Sequence, residues 1–244
     1  MFLGYNKKAI FSGVGIAILT ASISAQAEES IISGLYLKGE IGASFSRNTG
    51  DMPIIDQNAV NGNGKDNDLG RAAVYGLGIG IRLADNFRVE VVGNYRSGHE
   101  INAAETLTGL AQTFVGDVYS RSGFLIVAYD LTDFEILGKK TTPYVNGGVG
   151  FSRNSVDDLI LKTPGFADQV FDDESKTNFA WQIGAGVAFS LTESFVIDAG
   201  YRYVDLGEFE TSTQRLAPTV VTFQKMLTGE YRSHEFMVGV RLSF

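Results

Sequence analysis

In the stretch Phe236-Met-Val-Gly-Val-Arg-Leu-Ser-Phe244, every second residue is large and apolar. The residues between them, on the opposite face of the chain, are Met237, Gly239, Arg241 and Ser243. Alternation with a period of two predicts a β-strand that has one apolar face and one polar face. At the margin of a soluble sheet such a strand would need protection for both its apolar face and its unpaired edge. The environment of this stretch is therefore the first question that the sequence raises.

The same alternation recurs along the rest of the chain and predicts eight strands in all, an even number. The other seven strands are predicted at residues 35–45, 73–83, 87–96, 118–131, 143–153, 178–191 and 195–203. The fourth is the least clear, because residues 124–128 are apolar on both faces, and we favour Leu125, Val127 and Tyr129 as its outward residues.

The connections between these strands alternate in length. Residues 84–86 and 192–194 form tight turns, and residues 132–142 form a connection of intermediate length. The other four connections are long and polar, at residues 47–71, 97–116, 154–176 and 205–230. Structureless loops of this length are uncommon in a compact soluble domain. They are typical of a transmembrane barrel, which has short periplasmic turns and long extracellular loops.

These observations predict an all-β fold. Its architecture is an eight-stranded antiparallel up-and-down transmembrane β-barrel, with three short periplasmic turns and four long extracellular loops. The C-terminal strand should pair with the first strand and close the barrel, so that neither is left with a free edge. Arg241 and Glu235 would then share the interior with Lys38 and Glu40.

The first residues of the chain have the features of an export signal. Lys7 and Lys8 are followed by an apolar segment at residues 10–24 and by the small-residue pattern Ala25-Gln-Ala27. This order is typical of a secretory signal peptide. We therefore expect a signal peptide at residues 1–27 and an outer-membrane β-barrel at residues 28–244.

Composition excludes several classes of function. The 244 residues include no cysteine, so disulfides and thiolate metal sites are excluded. A formal net charge of −8 argues against nucleic acid as a partner, because phosphate binding needs a basic surface.

The apolar phase of the predicted strands should face lipid, with aromatic residues near both membrane surfaces. This predicted aromatic girdle consists of Phe87, Tyr95, Phe179, Phe189, Phe195, Tyr203, Phe236 and Phe244.

The other phase should face the lumen and carries a mixture of basic and acidic residues. The predicted lumen charges are Lys38, Glu40, Arg82, Arg88, Glu90, Arg96, Asp198, Arg202, Glu235 and Arg241. An eight-stranded barrel encloses a space that side chains can fill, and an unpaired charge there costs several kcal/mol. We therefore predict a closed, salt-bridged interior in which inward-facing glycines make room for the arginines. A narrow channel for small solutes remains the alternative.

With these features the chain resembles the small OmpA-like, opacity-type outer-membrane barrels, in the branch of porin-family surface antigens of alphaproteobacteria. The resemblance is carried by the signal peptide, the hairpins Leu83-Ala-Asp-Asn-Phe87 and Leu191-Thr-Glu-Ser-Phe195, Tyr201-Arg-Tyr203, Pro143-Tyr-Val-Asn-Gly-Gly-Val-Gly150 and the final Phe244. It implies a location in the outer membrane among lipid and lipopolysaccharide. It also implies a C-terminal strand read by the barrel-assembly machinery, loops open to host or small-molecule ligands, and no common catalytic activity or cofactor.

Three other sets of residues could carry chemistry. Ser233, His234 and Glu235 are candidates for a lipid-modifying enzyme, but adjacent strand residues point to opposite faces and cannot converge locally. His99, at the start of the second long loop, is a candidate haem ligand. The segment 61–70 is rich in Asn, Asp and Gly but lacks the spacing and the distal glutamate of a calcium loop, so we predict no metal site.

Overall fold

The computed structural model describes residues 34–47, 53–54, 62–63, 68–107, 110–219, 221–222 and 228–244. The predicted signal peptide at residues 1–27 lies outside this range, as does half of the calcium-like segment 61–70. No helix in the described ranges is long and apolar enough to cross a membrane.

Eight long antiparallel strands form the body of the molecule. They are β1 (Leu35–Arg47), β2 (Asp68–Arg82), β3 (Phe87–Leu107), β4 (Leu110–Asp130), β5 (Lys139–Lys162), β6 (Glu174–Ser190), β7 (Phe195–Glu210) and β8 (Thr228–Ser243). Each strand pairs with its neighbours in chain order, and β8 pairs with β1, so the sheet closes on itself. The predicted eight-stranded up-and-down barrel is confirmed.

The closing seam of the barrel runs between β1 and the C-terminal stretch of β8 that contains Phe236 and Arg241. Lys38 lies opposite Arg241 and Glu40 lies opposite Gly239. The amide of Phe244 donates a hydrogen bond of 3.3 Å to the carbonyl oxygen of Leu35. The final strand therefore has no free edge that would need protection.

Two of the periplasmic turns have the same structure. In each, the amide of a leucine donates a hydrogen bond of 3.0 Å to the carbonyl oxygen of a phenylalanine four residues later, from Leu83 to Phe87 and from Leu191 to Phe195. The third connection is longer and contains a small hairpin, in which the short strand Phe134–Ile136 pairs with the beginning of β5.

The strands extend much further on the extracellular side than the sequence predicted. The segment 97–116, expected to be a loop, continues β3 and β4 as a single hairpin whose pairing reaches from Glu100–Asp117 to Leu107–Leu110. Strands β3 and β4 have 21 residues each, and about 9–11 residues suffice to cross a membrane. Roughly half of each strand therefore stands outside the bilayer.

Two further predicted loops contain short strands that pair with one another. The strand Gln169–Phe171 pairs with the end of β5 and with Gln214–Ala217, and the latter pairs with Val221–Thr222. Separately, Pro53–Ile54 pairs with Gly62–Asn63. The extracellular connections are long, as predicted, but much of their described length is ordered β-structure.

Glycines on the inner face allow large side chains and neighbouring strands to approach closely. A Cβ on Gly80 would overlap the ring of Tyr36, and a Cβ on Gly150 would overlap the backbone carbonyl oxygen of Gly123. The space beside the inward glycines is thus occupied by aromatic rings and backbone as well as by the predicted arginines.

Candidate functional site

The inner face of the barrel carries the ten predicted lumen charges, and all ten have an oppositely charged partner within ion-pair distance. Their ion pairs are Lys38–Glu40, Lys38–Glu90, Arg82–Asp130, Arg88–Glu90, Arg88–Asp130, Arg96–Glu235, Arg202–Glu40, Arg202–Glu235 and Arg241–Asp198. Most of these side chains are buried, whereas Arg82 is half-exposed at the periplasmic mouth. Strand alternation places them there, because each belongs to the inward phase of its strand.

The periplasmic half of this network is organised around Arg88. Its guanidinium donates to Oδ1 of Asp130 at 2.9 Å and to Oε1 of Glu90 at 2.8 Å. Lys38 lies 2.9 Å from Oε2 of Glu90, and the hydroxyl of Tyr36 donates to Oε1 at 2.7 Å. Each carboxylate is held by more than one donor, which is what buried ion pairs require.

The network continues upward through Glu40 to Glu235. Oε1 of Glu40 accepts from Arg202 at 2.7 Å, and Arg202 also donates to Glu235 at 2.6 Å. The second oxygen of Glu235 accepts from Nε of Arg96 at 2.6 Å. Lys38 lies 3.1 Å from Glu40 and so joins the two halves into one chain of charges. Several of these ion pairs join strands that are not neighbours in the sheet, such as β3 with β8 and β1 with β7.

Arg241 and Asp198 form a separate pair. Two guanidinium nitrogens donate to the two oxygens of the carboxylate at 2.7 and 3.0 Å. The guanidinium carbon of Arg241 also lies 5.6 Å from the centre of the Tyr36 ring. This bidentate geometry is the strong form of an arginine–carboxylate contact.

Asp130 is a further member of the network, and it was not among the predicted lumen charges. It is the last residue of β4 and is buried beneath Arg88 and Arg82. Because residues 124–128 are apolar on both faces, the phase of this strand was uncertain, and Asp130 was not assigned to a face. The outward residues that we favoured, Leu125, Val127 and Tyr129, are exposed. Asp130 belongs to the other phase of the strand, so the same assignment would have placed it inside.

Buried apolar side chains form a cluster in the extracellular half of the interior, beside a few buried polar side chains such as Ser120 and Asn154, which corrects the expectation of a polar lumen throughout. We call this cluster the apolar plug; its residues are Leu69, Phe114, Val118, Val156, Leu159, Leu161, Phe171, Leu206, Phe209 and Tyr231. On β7 and β8 the plug residues Leu206 and Tyr231 each lie four residues beyond a network charge, Arg202 and Glu235. The inward phase therefore changes from charged to apolar as the strands leave the membrane.

His99 lies inside this apolar region. It was predicted at the start of a loop, but β3 continues past a bulge, and His99 pairs with Val118 in the sheet. The side chain is fully buried, and its Nδ1 lies 2.6 Å from the hydroxyl oxygen of Tyr231. A buried ring in contact with tyrosine does not offer an open position to haem, so this geometry gives no support to the haem hypothesis.

Ser233, His234 and Glu235 point apart, as adjacent strand residues must. Ser233 and Glu235 are buried in the interior, whereas His234 is exposed on the outer wall. Nδ1 of His234 lies 2.6 Å from the hydroxyl oxygen of Tyr201. The three side chains do not form a serine–histidine–acid set. Within the described part of the chain, no group of three His, Asp or Glu side chains is placed to hold a metal ion.

The outer wall carries the predicted aromatic girdle. Phe87, Tyr95, Phe179, Phe236 and Phe244 are exposed, and Phe189, Phe195 and Tyr203 are partly exposed. The ring of Phe87 lies 4.9 Å from that of Tyr129 near the periplasmic turns, and the ring of Tyr203 lies 5.6 Å from that of Trp181 nearer the extracellular side. Aliphatic residues cover the wall between the two levels. Such a wall matches a bilayer with an interface at each end.

Outside the membrane, Lys176 joins two neighbouring strands. Its ammonium group lies 2.7 Å from Glu208 and 2.5 Å from Glu210, linking β6 to β7. Hydrogen bonds to Glu208 and Glu210 raise the pKa of Lys176.

The family model of the outer membrane protein beta-barrel domain matches residues 14–244. The chain belongs to this family. As a member, it is a protein of the Gram-negative outer membrane, which confirms the predicted location. The resemblance to small OmpA-like and opacity-type barrels is also confirmed.

Among its relatives, outer membrane protein PagN of Salmonella typhimurium is 24% identical over 94% of this chain and 98% of its own. The opacity protein opA50 of Neisseria gonorrhoeae is 27% identical over 46% of this chain and 48% of its own. The crystal structure of Neisserial surface protein A has a TM-score of 0.45 and 20% identity, covering 87% of this chain and 98% of that one.

Proposed function

We propose that this family member is a sealed, non-enzymatic barrel whose extended hairpins form a contact surface outside the cell. A sealed lumen is supported by the side chains that fill the interior of the barrel. The charge network occupies the periplasmic half, and the apolar plug occupies the extracellular half. An ion crossing this space would have to displace paired charges and then pass an apolar region, and both steps are costly.

The conductance of purified protein in planar bilayers tests this proposal against the narrow-channel alternative. We expect no stable single-channel steps, because the buried apolar side chains of the plug oppose the passage of ions. A general porin inserted into the same bilayers serves as the positive control. Reproducible steps from the purified chain would contradict the sealed lumen and favour a channel for small solutes.

The proposal of a contact surface is supported by the ordered β-structure of the extracellular hairpins. Strands β3 and β4 remain paired up to Leu107 and Leu110, and the short strands at 169–171 and 214–217 connect the third loop to the fourth. A side-chain contact of 2.7 Å between Arg215 and Gln169 reinforces this link. An ordered surface loses less conformational entropy on binding than free loops do.

Shortening one hairpin tests the contact role. Residues 104–113 are replaced by Asn-Gly, which closes the hairpin next to the pair Ala103–Phe114 and keeps Phe114 in the plug. We expect bacteria displaying the intact barrel to bind host epithelial cells better than bacteria without it, and the shortened hairpin to reduce that binding. Heat-modifiable migration in gels verifies that the shortened barrel is folded. Equal binding with and without the intact barrel would contradict a surface-contact role.

A further inference from the structure

On β4 and β5 the outer wall changes from apolar to basic above the aromatic girdle. Strand β4 runs toward the periplasm. The apolar run of its outward residues ends at Leu125 on the extracellular side, and Arg121 lies four residues nearer the extracellular end. On β5 the outward residue Phe151 is followed by Arg153. Arg121 and Arg153 are direct partners in the register of these two strands. Like charges directly opposite each other on neighbouring strands repel, so this arrangement is unfavourable unless an anion lies between them.

The charges of Arg121 and Arg153 have no acidic partner in the part of the chain that the structure describes. Among the described residues, no carboxylate lies within 4.0 Å of Arg121 or Arg153. Arg153 donates to the hydroxyl oxygen of Ser175 at 2.8 Å, and that contact carries no charge. By contrast, Arg232 on another part of the same wall lies 3.1 Å from Asp205 and 2.9 Å from Glu230. Arg232 is thus balanced by carboxylates, whereas Arg121 and Arg153 face each other without one.

The two arginines lie in a shallow groove whose other lining residues are three hydroxyl-bearing side chains and one carboxylate, so the charge of the lining is net positive. The groove is lined by Tyr95, Tyr119, Arg121, Arg153, Ser155 and Asp157. Tyr95 belongs to the aromatic girdle and lies opposite Arg121 in the register of β3 and β4. Girdle tyrosines mark the level of the lipid headgroups. The groove therefore lies where the phosphate groups of outer-leaflet lipids are found.

We propose that Arg121 and Arg153 bind a phosphate group of an outer-leaflet glycolipid. Two guanidinium groups supply several donors in the planar geometry that suits a phosphate, and the hydroxyl groups of Tyr95 and Tyr119 lie beside them. Below the groove, the exposed side chains of Leu125, Val149 and Phe151 form an apolar wall along which acyl chains can lie. The combination of an anion site and an apolar wall selects a lipid phosphate over a free anion. This site lies on the outer wall and goes beyond the proposed sealed lumen and contact surface.

Binding of purified lipid A to the refolded full-length barrel in detergent tests the proposal. Bisphosphorylated lipid A is compared with lipid A from which both phosphates have been removed, using native mass spectrometry. We expect R121Q/R153Q to bind the bisphosphorylated lipid about tenfold more weakly or worse, because charge-assisted hydrogen bonds are lost. The phosphate-free lipid should bind the wild type and the variant equally weakly. R232Q is the matched control and should bind like the wild type, because Arg232 already has carboxylate partners.

Three results would overturn the proposal. One is equal binding of the two lipids to the wild type, and another is an equal loss of binding in R232Q and R121Q/R153Q. The third is competition by inorganic phosphate as effective as competition by lipid A, which would identify a site for free anions. R121K/R153K preserves both charges but loses the planar donor geometry, so it should bind the bisphosphorylated lipid more weakly than the wild type and more tightly than R121Q/R153Q. Together with the comparison of the two lipids on the wild type, it keeps the test decisive if the glutamine variant does not fold.

Discussion

Replacement of Glu235 by Gln is expected to lower the free energy of unfolding of the barrel by about 3–5 kcal/mol. Glu235 is fully buried, and its two oxygens lie 2.6 Å from Arg96 and 2.6 Å from Arg202. Gln preserves the size of the side chain but removes its charge. Arg202 would keep Glu40, whereas Arg96 would retain only neutral acceptors, which are the hydroxyl of Ser122 at 2.8 Å and the amide oxygen of the new side chain. A buried guanidinium without a carboxylate is the reason for the large effect.

Equilibrium unfolding in urea, followed by heat-modifiable migration and by the fluorescence of Trp181, measures this change. E230Q is the matched control on the same strand. Glu230 pairs with Arg232 on the outer wall, where both side chains are about half-exposed, at 44% each. Exposed ion pairs contribute about 0–1 kcal/mol, so E230Q should differ little from the wild type. A similar loss of stability in E235Q and E230Q would mean that the interior pairs are hydrated and contribute no more than surface pairs.

The alternation of residues was sufficient to predict the barrel and all but one of the charged residues in its ion-pair network. A strand that has Phe236 on one face and Arg241 on the other suits lipid outside and a polar lumen inside, and few other environments. Closure then follows from the need to pair both edges, and the seam between Lys38 and Arg241 is the result. The positions of the charges could be predicted because parity along a strand fixes the face of every residue.

The partners within the network could not be predicted, because strand tilt and side-chain length decide which charges meet across the lumen. Arg241 lies beside Lys38 in the register, yet its carboxylate partner is Asp198 on the strand at its other side. The sequence gives the face of each residue, and only the three-dimensional structure gives the contact.

The extracellular half was harder to predict for a different reason. Beyond the membrane the outward residues no longer need to be apolar, so strands lose the contrast that reveals them. Phe114 and Val118 are buried, while Asp117 and Tyr119 beside them are polar and only partly buried. This segment was read as a polar loop, although its inward phase remained apolar. The apolar plug and the buried position of His99 were missed together, since both depend on the strands continuing.

The isolated pair of Arg241 and Asp198 gives the second large effect that we expect. R241M leaves the carboxylate of Asp198 buried without its bidentate partner, and D198L leaves the guanidinium of Arg241 in the same condition. Each single variant should lose about 3–5 kcal/mol in the free energy of unfolding. The double variant R241M/D198L should lose less than either single variant. Met at position 241 can keep an apolar contact with the ring of Tyr36, which lies 5.6 Å from the present guanidinium carbon.

A double-mutant cycle in urea unfolding measures the coupling between the two positions. Strictly additive losses would contradict a direct ion pair, because additivity is the behaviour of independent sites. If the double variant regains most of the stability, the pair contributes little net free energy to the folded barrel, as buried ion pairs often do. The reason for keeping Arg241 would then lie in the choice of face. A slip of one residue in β8 would turn Arg241 toward lipid and Phe236 toward the lumen. A charge at the bilayer core costs about 2–4 kcal/mol there, so the arginine makes the wrong register costly even where it adds nothing to the right one.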